Sequence, residues 1–222
     1  MPHEATRLWR FLYVLVTLIK PLFCRLRIEG REKMPATGGC VLACNHTLGP
    51  DYVLLAYASP RQVYFMAKTE IFGWHPLIAR LLTTVGTFPV ERGKGDVAAM
   101  NTAVDVVRDG RVLGMFPEGT RSRSGVLMRG KTGAARIAMI AGAPVAPAVV
   151  INSPQIFKQL FRFGRRPEVT VCFGDPLAMP GDPNDPAQVR ANTERIMYAM
   201  AALLPSELRG SYAKNEPAQR ES

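Results

Sequence analysis

Cysteine, histidine and acidic residues are scarce in this chain. Of 222 residues only four are cysteine and three histidine, and 18 Asp+Glu stand against 28 Lys+Arg. Four cysteines (Cys24, Cys40, Cys44, Cys172) in so long a chain exclude a disulfide scaffold. With no secretory leader, they point to reduced thiols in the cytoplasm. There is no CxxC pair. Cys40, Cys44 and His46 would share one face of a strand, but no fourth ligand accompanies them, so small apolar strand residues are expected there and no metal. Repeats and low-complexity blocks are absent, and the N-terminal apolar run falls short of the ~20 residues a spanning helix needs.

The shortage of acids leaves a net charge of +10, which points to nucleic acid, an anionic membrane surface or a phosphorylated substrate. Arg outnumbers Lys 21 to 7. Codon bias is the plain reading of this excess and bidentate phosphate binding by Arg the sharper one, so each Arg has to be judged from its local context. The 47% hydrophobic content is too apolar for a disordered chain, and the 21% charged content too polar for a polytopic membrane protein. The length suits one compact domain with a short appendage.

Residues 11–19 (FLYVLVTLI) are apolar, with Arg7 and Arg10 before them and Lys20, Arg25 and Arg27 after. No small-x-small cleavage site follows, so this is not a signal peptide. A helix broken near Pro21, with Trp9 and Tyr13 as interfacial aromatics, fits a segment dipping into one leaflet; a core helix is the competing reading. Strands are expected at 26–30, 40–44 (CVLAC), 63–67, 86–90, 112–116, 144–151 and 169–173. Helices are expected at 51–59, 75–84, 96–108 (with Asp96 near the cap), 132–141 and 186–204. The alternation implies an α/β fold, a single mixed, largely parallel sheet flanked by helices, with ligands at the strand ends. The expected organisation is a membrane-anchoring helical segment at 1–25, the main domain at 26–205 and a polar tail at 206–222.

Two segments carry chemistry. The first, Asn45-His46-Thr47-Leu48-Gly49-Pro50-Asp51, lies where a buried strand ends and a helix begins. On a regular helix, side chains five residues apart diverge by about 140°, but Gly-Pro allows a turn that folds the carboxylate back onto the imidazole. Asp51 would then hold one ring nitrogen as N–H and leave the other free to take a proton from a hydroxyl. Such a pair also arises by chance, and a lone histidine is more often structural. His75, between Trp74 and Pro76, lacks a comparable acid and reads as packing. The second segment, FPEGTRS at 116–122, follows the apolar VLGM. Its glycine, hydroxyls and Arg121 suit a phosphate or polyol headgroup, and Arg123, Arg129 and Lys131 deepen the positive field. The plain alternative is a solvated surface loop.

Together these segments resemble the glycerolipid acyltransferase family, which includes the 1-acylglycerol-3-phosphate (lysophosphatidate) acyltransferases. Asn45, His46 and Asp51 match its Asn-His-x4-Asp block, and residues 116–122 match its Phe-Pro-Glu-Gly-Thr-Arg-Ser block without a change. Pro89-Val90-Glu91-Arg92 matches a block ending in Arg, and Ala143-Pro144-Val145-Ala146-Pro147 is an altered form of a Val-Pro-x-x-Pro-like strand. Met66-Ala67-Lys68 and RGKTGA at 129–134 also look familial.

The resemblance implies a glycerol-3-phosphate acyltransferase-like domain at 26–205. Its activity would move an acyl chain from acyl-CoA or acyl-carrier protein, as co-substrate, to the free hydroxyl of 1-acyl-glycerol-3-phosphate, giving phosphatidic acid. His46 would be the general base, oriented by Asp51. No acyl-enzyme, cysteine nucleophile or cofactor is implied, and the oxyanion donors would be backbone N–H groups near the His46 turn. Arg92 and Arg121 would grip the acceptor phosphate, or alternatively pair with Glu91 or Glu118. Asn45, Lys68, Thr120 and Lys131 would also line the substrate site, with Glu118 and Gly119 shaping its headgroup part.

A lipid acceptor gives the N-terminal segment a purpose: seating the domain on an anionic membrane surface, monotopic or peripheral, at the cytoplasmic face of the cell membrane. Residues 156–166 (IFKQLFRFGRR) read as a second membrane contact or as an ordinary loop. With no helix-turn-helix, RNP-like or zinc-finger pattern, nucleic acid is not an expected partner. The rivals are an acyltransferase for glycerol-3-phosphate or a lyso-aminolipid, and a non-catalytic membrane-binding protein.

Overall fold

A computed structural model describes residues 6–84, 86–90, 97–159 and 166–213. The sheet is built around β2 (Cys40–Cys44), all five of whose residues are buried. Successive side chains on a strand point to opposite faces. Accordingly Val41 and Ala43 enter one apolar cluster, and Cys40, Leu42 and Cys44 the other. A strand that is apolar on both faces belongs in the middle of a covered, parallel sheet. The other strands are β1 (Arg25–Glu29), β3 (Val63–Lys68), β4 (Thr87–Val90), β5 (Val112–Met115), β6 (Val145–Ile151) and β7 (Glu168–Phe173). They form one seven-stranded sheet in the order β1-β7-β6-β2-β5-β3-β4. Every pairing is parallel except β6 with β7, so the sheet is mixed and largely parallel as expected.

Helix α2 (Asp51–Ala58) covers the Cys40, Leu42 and Cys44 face with Leu54, Leu55 and Ala58. The opposite face is covered by α5 (Val97–Arg108), α6 (Gly133–Ala141) and α8 (Pro186–Ala202). α8 starts as its sequence dictates: the Asp185 side chain accepts the Ala187 N–H at 2.8 Å, and Pro186 takes the first helical position. Because β2 runs parallel to both β5 and β6, its carboxyl end lies beside theirs. Open α/β sheets bind ligands at this edge.

Helix α1 (Arg7–Phe23) departs from expectation in two ways. It is not broken at Pro21 but runs on to Phe23, because Pro21 sits in the last turn and its missing N–H forfeits one hydrogen bond only. Trp9 and Tyr13, expected as interfacial aromatics, turn toward the domain instead of standing free, Trp9 buried and Tyr13 half-buried. Trp9 is 6% exposed and stacks on Tyr13, which in turn stacks on Tyr57 of α2 with centroids 4.7 Å apart. Lys20 caps this contact, its Nζ 5.2 Å from the Tyr57 ring centroid. No helix among the described residues is long and apolar enough to cross a membrane.

The helix expected at 75–84 is present as α4 (Pro76–Thr84), but the sequence concealed two short elements, α3 (Thr69–Phe72) just before it and α7 (Pro154–Gln159). In the segment read as a membrane contact, Ile156 is buried and Phe157 exposed, while residues 160–165 lie outside the described residues. The expected polar tail does not begin free of the core. Ser206–Leu208 and Gly210–Ala213 form 3-10 turns, and Tyr212 is buried edge-on against Tyr198. Tyr212 and Leu208 pack this stretch on the core, and the Leu208 carbonyl accepts the Leu127 N–H at 2.8 Å.

Candidate active site

His46 follows the carboxyl end of β2, and Asp51 is the first residue of α2. The turn between them folds back so that His46 Nδ1 lies 3.0 Å from Asp51 Oδ2. Oδ2 also accepts the Thr47 N–H at 2.5 Å. Oδ1 takes the Thr47 hydroxyl at 2.8 Å and the Ser153 hydroxyl as well. A carboxylate only accepts, so Nδ1 carries the ring proton and Nε2 presents its lone pair. Asp51 has no exposed surface, whereas the His46 side chain keeps 15%, so the pair is reachable from the imidazole side alone. The imidazole lies on the Phe116 ring, with centroids 4.0 Å apart and planes 18° from parallel.

Glycine at position 49 makes this turn possible. A Cβ there would stand 2.6 Å from Ser153 Cβ, well inside contact distance. The second motif then grips the first by its backbone. Glu118 Oε1 accepts the His46 N–H at 2.6 Å, and the Ser122 N–H donates to the His46 carbonyl at 2.7 Å. The other Glu118 oxygen accepts the Met128 N–H at 2.9 Å, tying the loop to itself. Burial pushes the Glu118 carboxyl above its ordinary value, and the His46 and Met128 amides oppose that rise. Gly119 adopts φ 70°, and a Cβ there would come within 2.8 Å of Lys131 Cδ, so the Lys131 side chain passes directly over it.

The remaining candidates divide. Thr120, Arg121 and Lys131 are exposed, and their side chains make no hydrogen bond or ion pair with a described residue. Glu118 is spent on amides, so Arg121 does not pair with it. Asn45 faces inward instead of toward a substrate. It is buried, its Nδ2 donating to the Val150 carbonyl at 3.1 Å and its Oδ1 accepting the Val150 N–H at 2.7 Å. It therefore works as a clamp between β2 and β6, the amide standing in for a strand residue. Lys68 ends β3 at the same sheet edge, its side chain lying outside the described residues, as do Glu91, Arg92 and the expected cap Asp96.

The amides of His46, Thr47 and Gly49 are already committed, to Glu118, Asp51 and Thr47 Oγ1 respectively, so none of these three is a free oxyanion donor. All four cysteines are free and buried. Burial raises each thiol: Cys40 to about 11, Cys172 to about 11, and Cys44, beneath the Asp51 and Glu118 charges, well above its ordinary value. None is a ready thiolate nucleophile. Thr47 and Ser153 escaped the sequence reading. The available signal was positional: Asn152-Ser153-Pro154 follows an apolar strand as Asn45-His46-Thr47 does.

The sequence profile of the family described as Acyltransferase matches residues 25–151. A Bacillus subtilis protein named 1-acyl-sn-glycerol-3-phosphate acyltransferase is 30% identical over 171 residues, covering 77% of this chain and 82% of its own length. A Salmonella typhimurium protein of the same name is 31% identical over 140 residues, covering 61% of this chain and 56% of its own length. The crystal structure of the 1-acyl-sn-glycerophosphate (LPA) acyltransferase PlsC from Thermotoga maritima has the same fold. It superposes with a TM-score of 0.68 at 22% identity, covering 91% of this chain and 80% of that one. With the profile spanning more than half the chain and the Bacillus relative matched over most of its length, this protein belongs to the acyltransferase family.

Proposed function

We propose that this protein moves an acyl chain from acyl-CoA or acyl-carrier protein to the free hydroxyl of 1-acyl-glycerol-3-phosphate, giving phosphatidic acid for phospholipid synthesis. The observation that carries this reading is the His46–Asp51 pair, open only at the imidazole and held by a loop whose Arg121 has no partner among the described residues. The choice of acceptor draws support from the names of the Bacillus and Salmonella relatives.

In this reaction His46 Nε2 removes the acceptor's hydroxyl proton as that oxygen attacks the thioester carbonyl. The resulting imidazolium is stabilised by Asp51 through Nδ1–H. Collapse of the tetrahedral intermediate breaks the C–S bond, and the departing thiolate takes the proton back from His46. Arg121, together with Arg92 from the segment after β4, binds the acceptor phosphate, with Lys68 and Lys131 adding positive charge at the same edge.

The acceptor lies in a bilayer, and α1 is suited to reach it. Trp9, Tyr13 and Lys20 dock one side of α1 on the domain. The opposite stripe of Phe11, Leu15, Leu18 and Leu22, at i, i+4, i+7 and i+11, is exposed. Seated in one leaflet with its basic fringe on anionic headgroups, α1 would hold the site at the cytoplasmic membrane surface.

The test is acyl transfer by the purified protein with an acyl thioester and lysophosphatidate, run beside glycerol-3-phosphate and a phosphate-free lysolipid. Phosphatidic acid as the dominant product is expected, and preferential acylation of either competitor contradicts the acceptor assignment.

A further inference from the structure

We infer that Ser153 is a positioning residue: with Thr47 it locks the Asp51 carboxylate so that Oδ2 stays on His46 Nδ1. The inference rests on the acyl-transfer reading above and adds a residue that no motif of the sequence contains.

Asp51 Oδ1 faces two hydroxyls. Thr47 Oγ1 stands at 2.8 Å, Ser153 Oγ is also bonded to it, and the two hydroxyl oxygens lie 2.9 Å from one another. Three oxygens thus share two hydroxyl protons, and the carboxylate brings none. However those protons are arranged, at least one points at Oδ1. The Gly49 N–H donates to Thr47 Oγ1 at 3.2 Å, which directs the Thr47 proton toward the other two oxygens. Ser153 and Asp51 have no exposed surface, so water cannot replace a hydroxyl that is removed.

Ser153 reaches Asp51 from another strand. It follows β6 just after Asn152, the described non-glycine residue with positive φ (65°), and precedes α7. Left-handed backbone at a non-glycine residue is uncommon and here sets the direction in which the next side chain leaves the strand. Asn45 pins the same strand ends together through Val150, so the position of Ser153 relative to His46 is fixed from both sides. One carboxylate oxygen therefore orients the base and the other is held in place, which divides the work between two neighbouring strands.

The test compares Ser153→Ala, Asp51→Asn and the double variant in the full chain, measuring kcat and both KM values. Loss of a hydrogen bond to a charged group predicts a fall in kcat of about ten- to hundredfold for Ser153→Ala. Both KM values should stay within about twofold, because ground-state binding is not touched. In the Asp51→Asn background the further loss should shrink below about threefold, since the partner through which Ser153 acts is gone. A folded Ser153→Ala variant with wild-type kcat, or an undiminished loss on top of Asp51→Asn, overturns the inference. If Ser153→Ala does not fold, Ser153→Cys, which offers only a weak S–H donor, must show the same pattern. Failure of the acyl-transfer reading looks different: the wild-type protein makes no phosphatidic acid, or His46→Ala makes as much as wild type.

Discussion

Gly49→Ala perturbs the turn that brings Asp51 back to His46. The added methyl would stand 2.6 Å from Ser153 Cβ and nearer still to Ser153 Oγ and C. Carbon atoms in contact rest about 3.5–4.0 Å apart, so roughly 1 Å must be gained by moving one segment. Ser153 cannot simply rotate away, because its backbone carbonyl accepts the Ile156 N–H at 3.1 Å and its hydroxyl is bonded to Asp51. Overpacking of this kind costs about 1–3 kcal/mol. In a domain of this size each kcal/mol lowers Tm by roughly 2–4 °C, giving a drop of about 2–12 °C.

Activity should suffer more than stability, since the same displacement moves Ser153 off Oδ1 and Asp51 off the imidazole; a loss in kcat of about tenfold or more is expected. Gly133→Ala is the control. The nearest atom to its Cβ is Met115 Cε at 3.7 Å, and Gly133 is the first residue of α6, where alanine is the better helix former. Its Tm should match or exceed that of wild type. Calorimetry and the acyl-transfer assay on both variants decide the matter. Gly49→Ala with wild-type Tm and kcat would mean that residue 49 has room which the turn, as described, denies it.

Glu118→Gln sets an NH2 group against one of two amide donors, so it should lower stability by about 1–3 kcal/mol in denaturant titrations and reduce kcat by loosening His46. Because burial raises the Glu118 carboxyl, the folded chain holds that proton more tightly than the unfolded chain. Its stabilising contribution is full below pH 4.5, the ordinary glutamate value, and declines as pH rises through the raised value. Wild-type Tm should fall across that window relative to Glu118→Gln, and parallel Tm–pH curves contradict this. Arg121→Ala should cut kcat/KM for lysophosphatidate by about ten- to hundredfold while sparing a phosphate-free lysolipid; equal losses on both acceptors argue against phosphate binding at Arg121. Leu18 and Leu22 are 70% and 73% exposed, so Leu18→Asp with Leu22→Asp should leave Tm unchanged. At about 2 kcal/mol of membrane burial per leucine, co-sedimentation with anionic vesicles should weaken on the order of a hundredfold or more. Undiminished binding removes the stripe from the membrane.

What the sequence made legible were local features with strong physical signatures. CVLAC reads as a buried strand, which the structure places at the centre of the sheet, and the Gly-Pro turn permits the return of Asp51 to His46 that the structure shows. Features set by distant partners were not legible. The hydropathy of residues 11–19 resembles that of an anchor, and it takes the burial of Trp9, the Tyr13–Tyr57 stack and the Lys20 contact to distinguish the docked side of α1 from its exposed one. Asn45 looks like a site residue until Val150, 105 positions away, is seen to occupy both ends of its amide. Ser153 belongs to no motif, because its relation to Asp51 is created by the β2–β6 pairing and not by chain spacing. The stretch after α8 shows the converse, a polar segment held to the core by Leu208 and Tyr212.

The central claim is that His46 Nε2 takes the proton of the acceptor hydroxyl. The most direct measurement is the initial rate of phosphatidic acid formation by His46→Ala, with folding verified by circular dichroism and Tm. A loss of about 10²–10⁴-fold or more at saturating substrates is expected for removal of a general base. A folded His46→Ala variant that acylates lysophosphatidate at the wild-type rate would contradict it.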